Sequence, residues 1–250
     1  MQLGVAVGPY LEQIEQLPGR FEHAEIGLGE GEVSLSAFDP VSVARRTSER
    51  GLDLAVHLPY RQPVSTPVDR IDRATLSYLD DLLAAASEAG ADRAVAHPSA
   101  RGGGHETNQF SDRLAVLAAR GRDHGIEVCF ETTGYAGGPD LPRLGDLIDH
   151  ADVSVCLDVG YAYLEAGTDG IESFLATHGD RVAHLHIHDA RHRGDTHIPV
   201  GSGDVAFDDL APLLDAHVRD DATASLEVFT DDTDLLADSA HRFERAMDDS

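Results

Sequence analysis

Eight short apolar runs, most followed by a polar or Gly/Pro-rich turn and then a helix-like segment, constrain this chain more than any other feature. The runs fall at residues 2–8, 22–28, 53–58, 93–97, 126–132, 153–158, 182–188 and 223–229. Two of the intervening helices are plain from periodicity. Residues 70–89 put Ile71, Leu76, Leu79, Leu82, Leu83 and Ala86 on one face, and residues 109–124 do the same with Phe110, Leu114, Leu117 and Ala118. Shorter helices are expected at 41–50, 140–150, 170–178, 207–217 and 232–247. Strands alternating with helices pair in parallel through right-handed crossovers. With 250 residues, the repeat predicts one α/β domain spanning 1–250, a closed parallel eight-stranded (β/α)8 barrel. An open doubly wound sheet is the alternative; no Gly-x-Gly-x-x-Gly follows the first strand to support a dinucleotide site.

The charge balance narrows the setting. Acids number 45 against 19 bases, giving a net charge of −26, and every one of those bases is arginine. Such an excess repels itself in dilute buffer, and molar salt screens it within about 3 Å. We therefore expect a halophilic protein of a high-salt cytoplasm; the alternative is an ordinary acidic protein. Without lysine there is no Schiff-base nucleophile and no P-loop lysine. Cys129 and Cys156 lie in apolar strand-like runs, as small core residues would. The N-terminal stretch lacks the basic region of a signal peptide, and no apolar run reaches the ~18 residues of a membrane span, so a cytoplasmic protein is expected.

The segment from His184 to Gly203 carries most of the chemistry. Val182, Ala183, Leu185 and Ile187 alternate with His184, His186 and His188, and a polar loop with Asp195 and His197 follows, closed by the turn residues Gly201 and Gly203. Imidazoles and a carboxylate converging at a strand end suit a divalent metal; a surface run of histidines on an edge strand is the plain alternative. Other strand ends supply partners: His57, His97, Glu131, Asp158 and Glu227. Barrel enzymes build their sites at these ends. Each residue alone reads as well as a helix cap or hydrogen-bonded structural group. Together they differ, because several unpaired carboxylates in a barrel mouth are costly unless a cation compensates.

Strand by strand over essentially its whole length, the chain resembles the xylose isomerase-like TIM barrel superfamily, which includes sugar phosphate isomerases and epimerases and the endonuclease IV type of abasic-site nuclease. The resemblance implies that Glu131, Asp158, His186 and Glu227 hold one divalent ion. It further matches His57, His97, Asp195 and His197 to additional ligands of the nuclease branch. Tyr161 stands where that branch has a further histidine, and where many epimerases place a histidine beside the substrate.

The expected activity is a metal-dependent isomerase or epimerase of a sugar or sugar phosphate. Carboxylates with imidazoles favour Mn²⁺ or Zn²⁺, with Mg²⁺ the alternative. The ion would stabilise an enediolate while Glu131 and Glu227, the expected catalytic residues, move protons on the two faces of the substrate carbon. His188 and Asp189 are expected to orient His186. Arg191 and Arg193 are read as contacts for a substrate phosphate or carboxylate, or else as solvated loop charges. His184 and His192 are assigned structural or surface roles, and specificity is assigned to loops 29–38, 60–68 and 99–108. Two other readings follow: an endonuclease IV-like phosphodiesterase, and a barrel that binds metal or ligand without turnover. The absence of lysine and the net charge of −26 argue against a nucleic-acid partner. The expected partner is a small sugar, with no membrane association; a homodimer is compatible with the resemblance.

Overall fold

In the computed structural model, which describes residues 1–102 and 107–249, the expected strands close into a barrel. They are β1 (Gln2–Gly8), β2 (His23–Gly27), β3 (Asp53–His57), β4 (Arg93–Ala96), β5 (Glu127–Glu131), β6 (Ser154–Asp158), β7 (Val182–Ile187) and β8 (Thr223–Leu226). Each pairs in parallel with the next, and β1 closes on β8. Around them lie α1 (Pro40–Arg50), α2 (Asp69–Glu88), α3 (Thr107–Asp123), α4 (Leu141–Ala151), α5 (Val159–His178), α6 (Phe207–His217) and α7 (Thr233–Asp248). Residues 103–106, within the loop assigned to specificity at 99–108, lie outside the described residues. No described helix is long and apolar enough to cross a membrane.

Local chemistry sets the element ends. The Asp39 carboxylate accepts the Ser42 N–H at 3.2 Å, with Pro40 opening α1, and Gly51 ends that helix at φ 66°. After β1 only a 3₁₀ turn forms, Leu11–Gln16, and Leu17, which precedes Pro18, leaves it in extended backbone. Helix α5 starts eleven residues earlier than the expected 170–178. Asp158 caps it directly at the end of β6, and a break at Gly167 (φ 66°, ψ −174°) divides it, so periodicity marks only its second half.

Alternation along the strands builds two different faces. One parity, including Val5, Ile26, Val56, Phe130, Leu157, Leu185 and Leu226, is buried in the hydrophobic core. The other carries Glu25, His57, Glu131, Asp158, His184, His186 and Ser225. The barrel lumen is therefore largely polar. It has room for these side chains partly because β1 contributes Gly4, where a Cβ would fall 2.3 Å from the ring of His23.

Candidate metal centre and active site

At the C-terminal mouth of the barrel, β5, β6, β7 and the segment just past β8 bring Glu131, Asp158, His186 and Glu227 together. One ligand atom from each lies within 4.8 Å of all the others. Glu131 is 2% exposed, and Asp158 and His186 are fully buried. His186 Nδ1 lies 2.9 Å from Glu131 Oε1 and 3.2 Å from Glu227 Oε2. Three further sets overlap this one: His57 with Glu131 and His186, Asp158 with His188, His197 and Glu227, and Cys156 with His184 and His186. His97 Nε2 is 2.6 Å from Glu131 Oε2, and His197 Nε2 is 3.4 Å from Glu227 Oε2.

Two carboxylate oxygens here lack hydrogen bonds. Glu131 Oε2 and Glu227 Oε2 are buried, and although imidazole nitrogens come within ion-pair range, none is aligned to donate to them. Burial opposes the charge on Glu131, but His97 and His186 hold the carboxyl well below the usual carboxylate range. Glu227 is likewise held low against burial, chiefly by the charge of His186. Burial also works against a charge on His57, and Glu131 overrides it, raising the imidazole to about 9. The centre is a pair of ionised carboxylates with unsatisfied oxygens, held among imidazoles.

A cavity of about 630 Å³ opens over these groups. Glu25, Glu131, Glu227, His57, His97 and His197 line it, together with the rings of Tyr10, Tyr60, Tyr161 and Phe229 and the carboxyl groups of Glu32 and Asp231. Among the described residues, no arginine lines it. Tyr161 packs its ring edge-on at 5.3 Å from that of His197, and burial pushes its phenol up.

The structure reassigns several neighbours of His186. His188 reaches the adjacent strand and donates from Nε2 to Asp158 Oδ2 at 3.2 Å, so it orients Asp158 and not His186. Asp189, of the opposite parity, accepts the backbone N–H groups of Ala190, Gly203 and Val205 at 2.8, 2.7 and 3.0 Å. It pins the loop that leads into α6 and has no part in holding His186. Gly203 is needed for this, because a Cβ there would fall 2.3 Å from Asp189 Oδ1. Arg191 and Arg193 both pair with Asp195, at 2.9 and 2.8 Å, closing the loop on itself, and neither arginine lines the cavity. Asp195 is thereby kept out of the clustered ligand sets, whereas His197, from the same loop, joins one. His184 is buried, between Thr223 and Glu25.

Sequence reasoning missed Glu25 and Glu32. Glu25, in the lumen on β2, lies 3.1 Å from His186 Nε2. The signal was available, since His23 and Glu25 alternate with apolar residues just as the β7 histidines do. Glu32 follows β2 in sequence and folds back over Gly27, where a Cβ would fall 2.2 Å from its Oε2, an oxygen that is buried without a partner. Burial raises its pKa. No local pattern marks that loop-to-strand contact.

Residues 21–248 match the family model described as the xylose isomerase-like TIM barrel. The chain belongs to that family. This xylose isomerase-like barrel is similar to the "Probable endonuclease 4" of Mycobacterium bovis, 26% identical over 189 residues, covering 66% of this chain and 69% of that protein. Among solved structures, a D-tagatose 3-epimerase-like protein superposes with a TM-score of 0.77 at 18% identity, over 99% of this chain and 97% of its own. The TTHB071 protein of Thermus thermophilus, from crystals soaked with ZnCl2, superposes with a TM-score of 0.75 at 25% identity, over 98% of this chain and 99% of its own.

Proposed function

We propose that this barrel is a divalent-metal-dependent isomerase or epimerase of a small sugar. The observation that carries the reading is the buried convergence of Glu131, Asp158, His186 and Glu227 at the cavity, with two carboxylate oxygens left without a hydrogen bond. Buried charged oxygens without donors are costly, and a cation is the natural partner for them. Three carboxylates and one imidazole fit Mn²⁺ or Zn²⁺, with Mg²⁺ the harder alternative.

When bound, the ion would supply Lewis-acid polarisation of a carbonyl and its neighbouring hydroxyl. The proton transfers fall to the protein. Glu131 and Glu227 both line the cavity, on different strand ends, and both carboxyls are held below the usual carboxylate range. Each can take a proton from, or return one to, a carbon adjacent to a carbonyl. Tyr10, Tyr60 and Phe229 offer apolar faces for the carbon skeleton, and Glu32 and Asp231 offer acceptors for hydroxyls. The lack of a lining arginine among the described residues favours an uncharged sugar over its phosphate. Resemblance to the D-tagatose 3-epimerase-like fold supports the same substrate class.

A nuclease reading has one specific support, the endonuclease 4 relative, together with the additional imidazoles His57, His97 and His197 at the centre. Against it, Asp195 is engaged by Arg191 and Arg193, and Tyr161 supplies no imidazole. A polyanion would also meet the carboxyl groups of Glu32 and Asp231, which line the cavity. The acid excess supports a high-salt setting, so assays belong in molar KCl. Solvent-deuterium incorporation across a panel of keto-sugars tests the proposal. Exchange with at least one ketose is expected; no exchange with any of them, alongside nicking of abasic DNA, refutes it.

A further inference from the structure

Beside the four clustered residues the lumen carries a second polar cluster that the proton transfers leave unused, and it is centred on Glu25, which also lines the cavity. The Glu25 side chain is 1% exposed, and both its oxygens are taken. Oε2 accepts from His184 Nε2 at 2.9 Å and from Ser225 Oγ at 2.8 Å, while Oε1 faces His186 Nε2 at 3.1 Å.

The order of donors and acceptors around this carboxylate is directional. Arg93 donates to Thr223 Oγ1, and Thr223 stands 2.7 Å from His184 Nδ1. With its hydroxyl proton given to Nδ1, His184 carries its own proton on Nε2, facing Glu25. On the other side His23 Nε2 is 2.9 Å from Ser225 Oγ, so the serine can accept from His23 and donate to Glu25. Every chain of donation ends on Glu25, because an ionised carboxylate accepts and cannot donate. His186 is the last neighbour, and the same rule requires its Nε2 to carry a proton. A neutral imidazole has only one N–H, and a metal ligand must be a neutral imidazole. Nδ1 also donates, to Glu131 Oε1 at 2.9 Å, and an ion bound between Glu131 and Glu227 would displace that proton and take Nδ1, leaving the Nε2 proton in place.

We propose that Glu25 is the positioning residue of the metal centre: its buried carboxylate holds the proton of His186 on Nε2 and so commits Nδ1 to the ion. This rests on the reading that Glu131, Asp158, His186 and Glu227 hold a divalent cation. Carboxylate partners of metal-binding imidazoles fix ring orientation and raise ligand basicity, and their loss typically costs about 10–100-fold in affinity. Glu25→Gln preserves the shape but replaces one acceptor oxygen with an N–H₂ group. That group must oppose either His186 N–H or the His184 and Ser225 donors, so one side of the network loses its acceptor.

The test is Zn²⁺ binding to the intact protein by calorimetry, for wild type, Glu25→Gln and Ser225→Ala. It is joined by long-range ¹H–¹⁵N correlation of the histidine rings in the zinc-loaded wild type. Expected are a dissociation constant about 10–100-fold weaker for Glu25→Gln, a much smaller change for Ser225→Ala, and the His186 proton on Nε2. A purely structural role would lower thermal stability in both variants and leave the zinc affinity of the folded protein unchanged. Equal affinities in wild type and Glu25→Gln overturn the inference, as does equal loss in both variants. If Glu25→Gln does not fold, the wild-type spectrum still decides: a proton on Nδ1 with Nε2 bare overturns it. Failure of the wild type to bind zinc refutes the metal reading itself, and the inference falls with it; that outcome is separate from wild-type binding that ignores Glu25.

Discussion

Gly160 packs against the imidazole of His188 so closely that a Cβ at residue 160 would fall 2.1 Å from His188 Cε1. His188 in turn donates to Asp158, and Asp158 Oδ1 accepts the Tyr161 N–H at 2.7 Å as the cap of α5. Helix start, second-layer imidazole and candidate ligand are thus one packed unit. Gly160→Ala must push the ring or the helix aside, and overpacking of this kind costs about 1–3 kcal/mol. The expected result is a lower melting temperature together with weaker divalent-ion binding. A variant with wild-type values for both would show that the contact is slack.

Glu131 and Glu227 separate chemistry from stability. Each Glu→Gln change keeps the volume and removes the base, so solvent exchange should fall by about 10²–10⁴-fold in each variant. Circular dichroism should remain that of the wild type. Exchange that survives in both variants would remove these carboxylates from proton transfer.

The opposite end of the barrel gives a pH prediction independent of any metal. Burial opposes the charge on Glu127, but the hydroxyl of Ser154 and the guanidinium of Arg219, at 2.6 Å each, hold its pKa below the ordinary value of 4.5. A carboxyl depressed on folding contributes stability that is present above its unfolded pKa and lost as pH falls through the folded value. Glu127 is 31% exposed, so solvent discounts the effect. Arg219→Gln should therefore lower the melting temperature modestly at pH 7, and its gap to the wild type should close as pH drops below 4.5. A gap that is constant with pH would assign Arg219 a role other than pairing with this carboxylate.

The net charge of −26 predicts a salt response. Raising KCl from low to molar concentration screens repulsion among acids and should raise the melting temperature. A flat or falling profile would remove the high-salt interpretation and leave the metal centre untouched.

Much of the barrel and its mouth is legible in the chain because both follow from a two-residue period. Alternation in His184–His188 places three imidazoles on one side of β7, and the same parity carries Glu131 and Asp158 to the mouth. What sequence could not supply was which partner each polar group meets across strands. His188 and Asp189 differ by one position, and that difference sends them to opposite faces, one to Asp158 and the other to the loop at Gly203. Arg191, Arg193 and Asp195 sit close together in one loop, and only the folded loop shows them engaged with each other. Glu25 was visible in the alternation of β2 but had no partner until β7 and β8 were brought beside it in the lumen.

The central claim is that Glu131, Asp158, His186 and Glu227 together hold a divalent ion. Anomalous diffraction from crystals soaked in MnCl2, recorded on the manganese edge, addresses it directly. One strong peak is expected within bonding distance of all four side chains, with His186 bound through Nδ1. A peak that lies elsewhere, or no peak in crystals whose cavity is open to solvent, would contradict it.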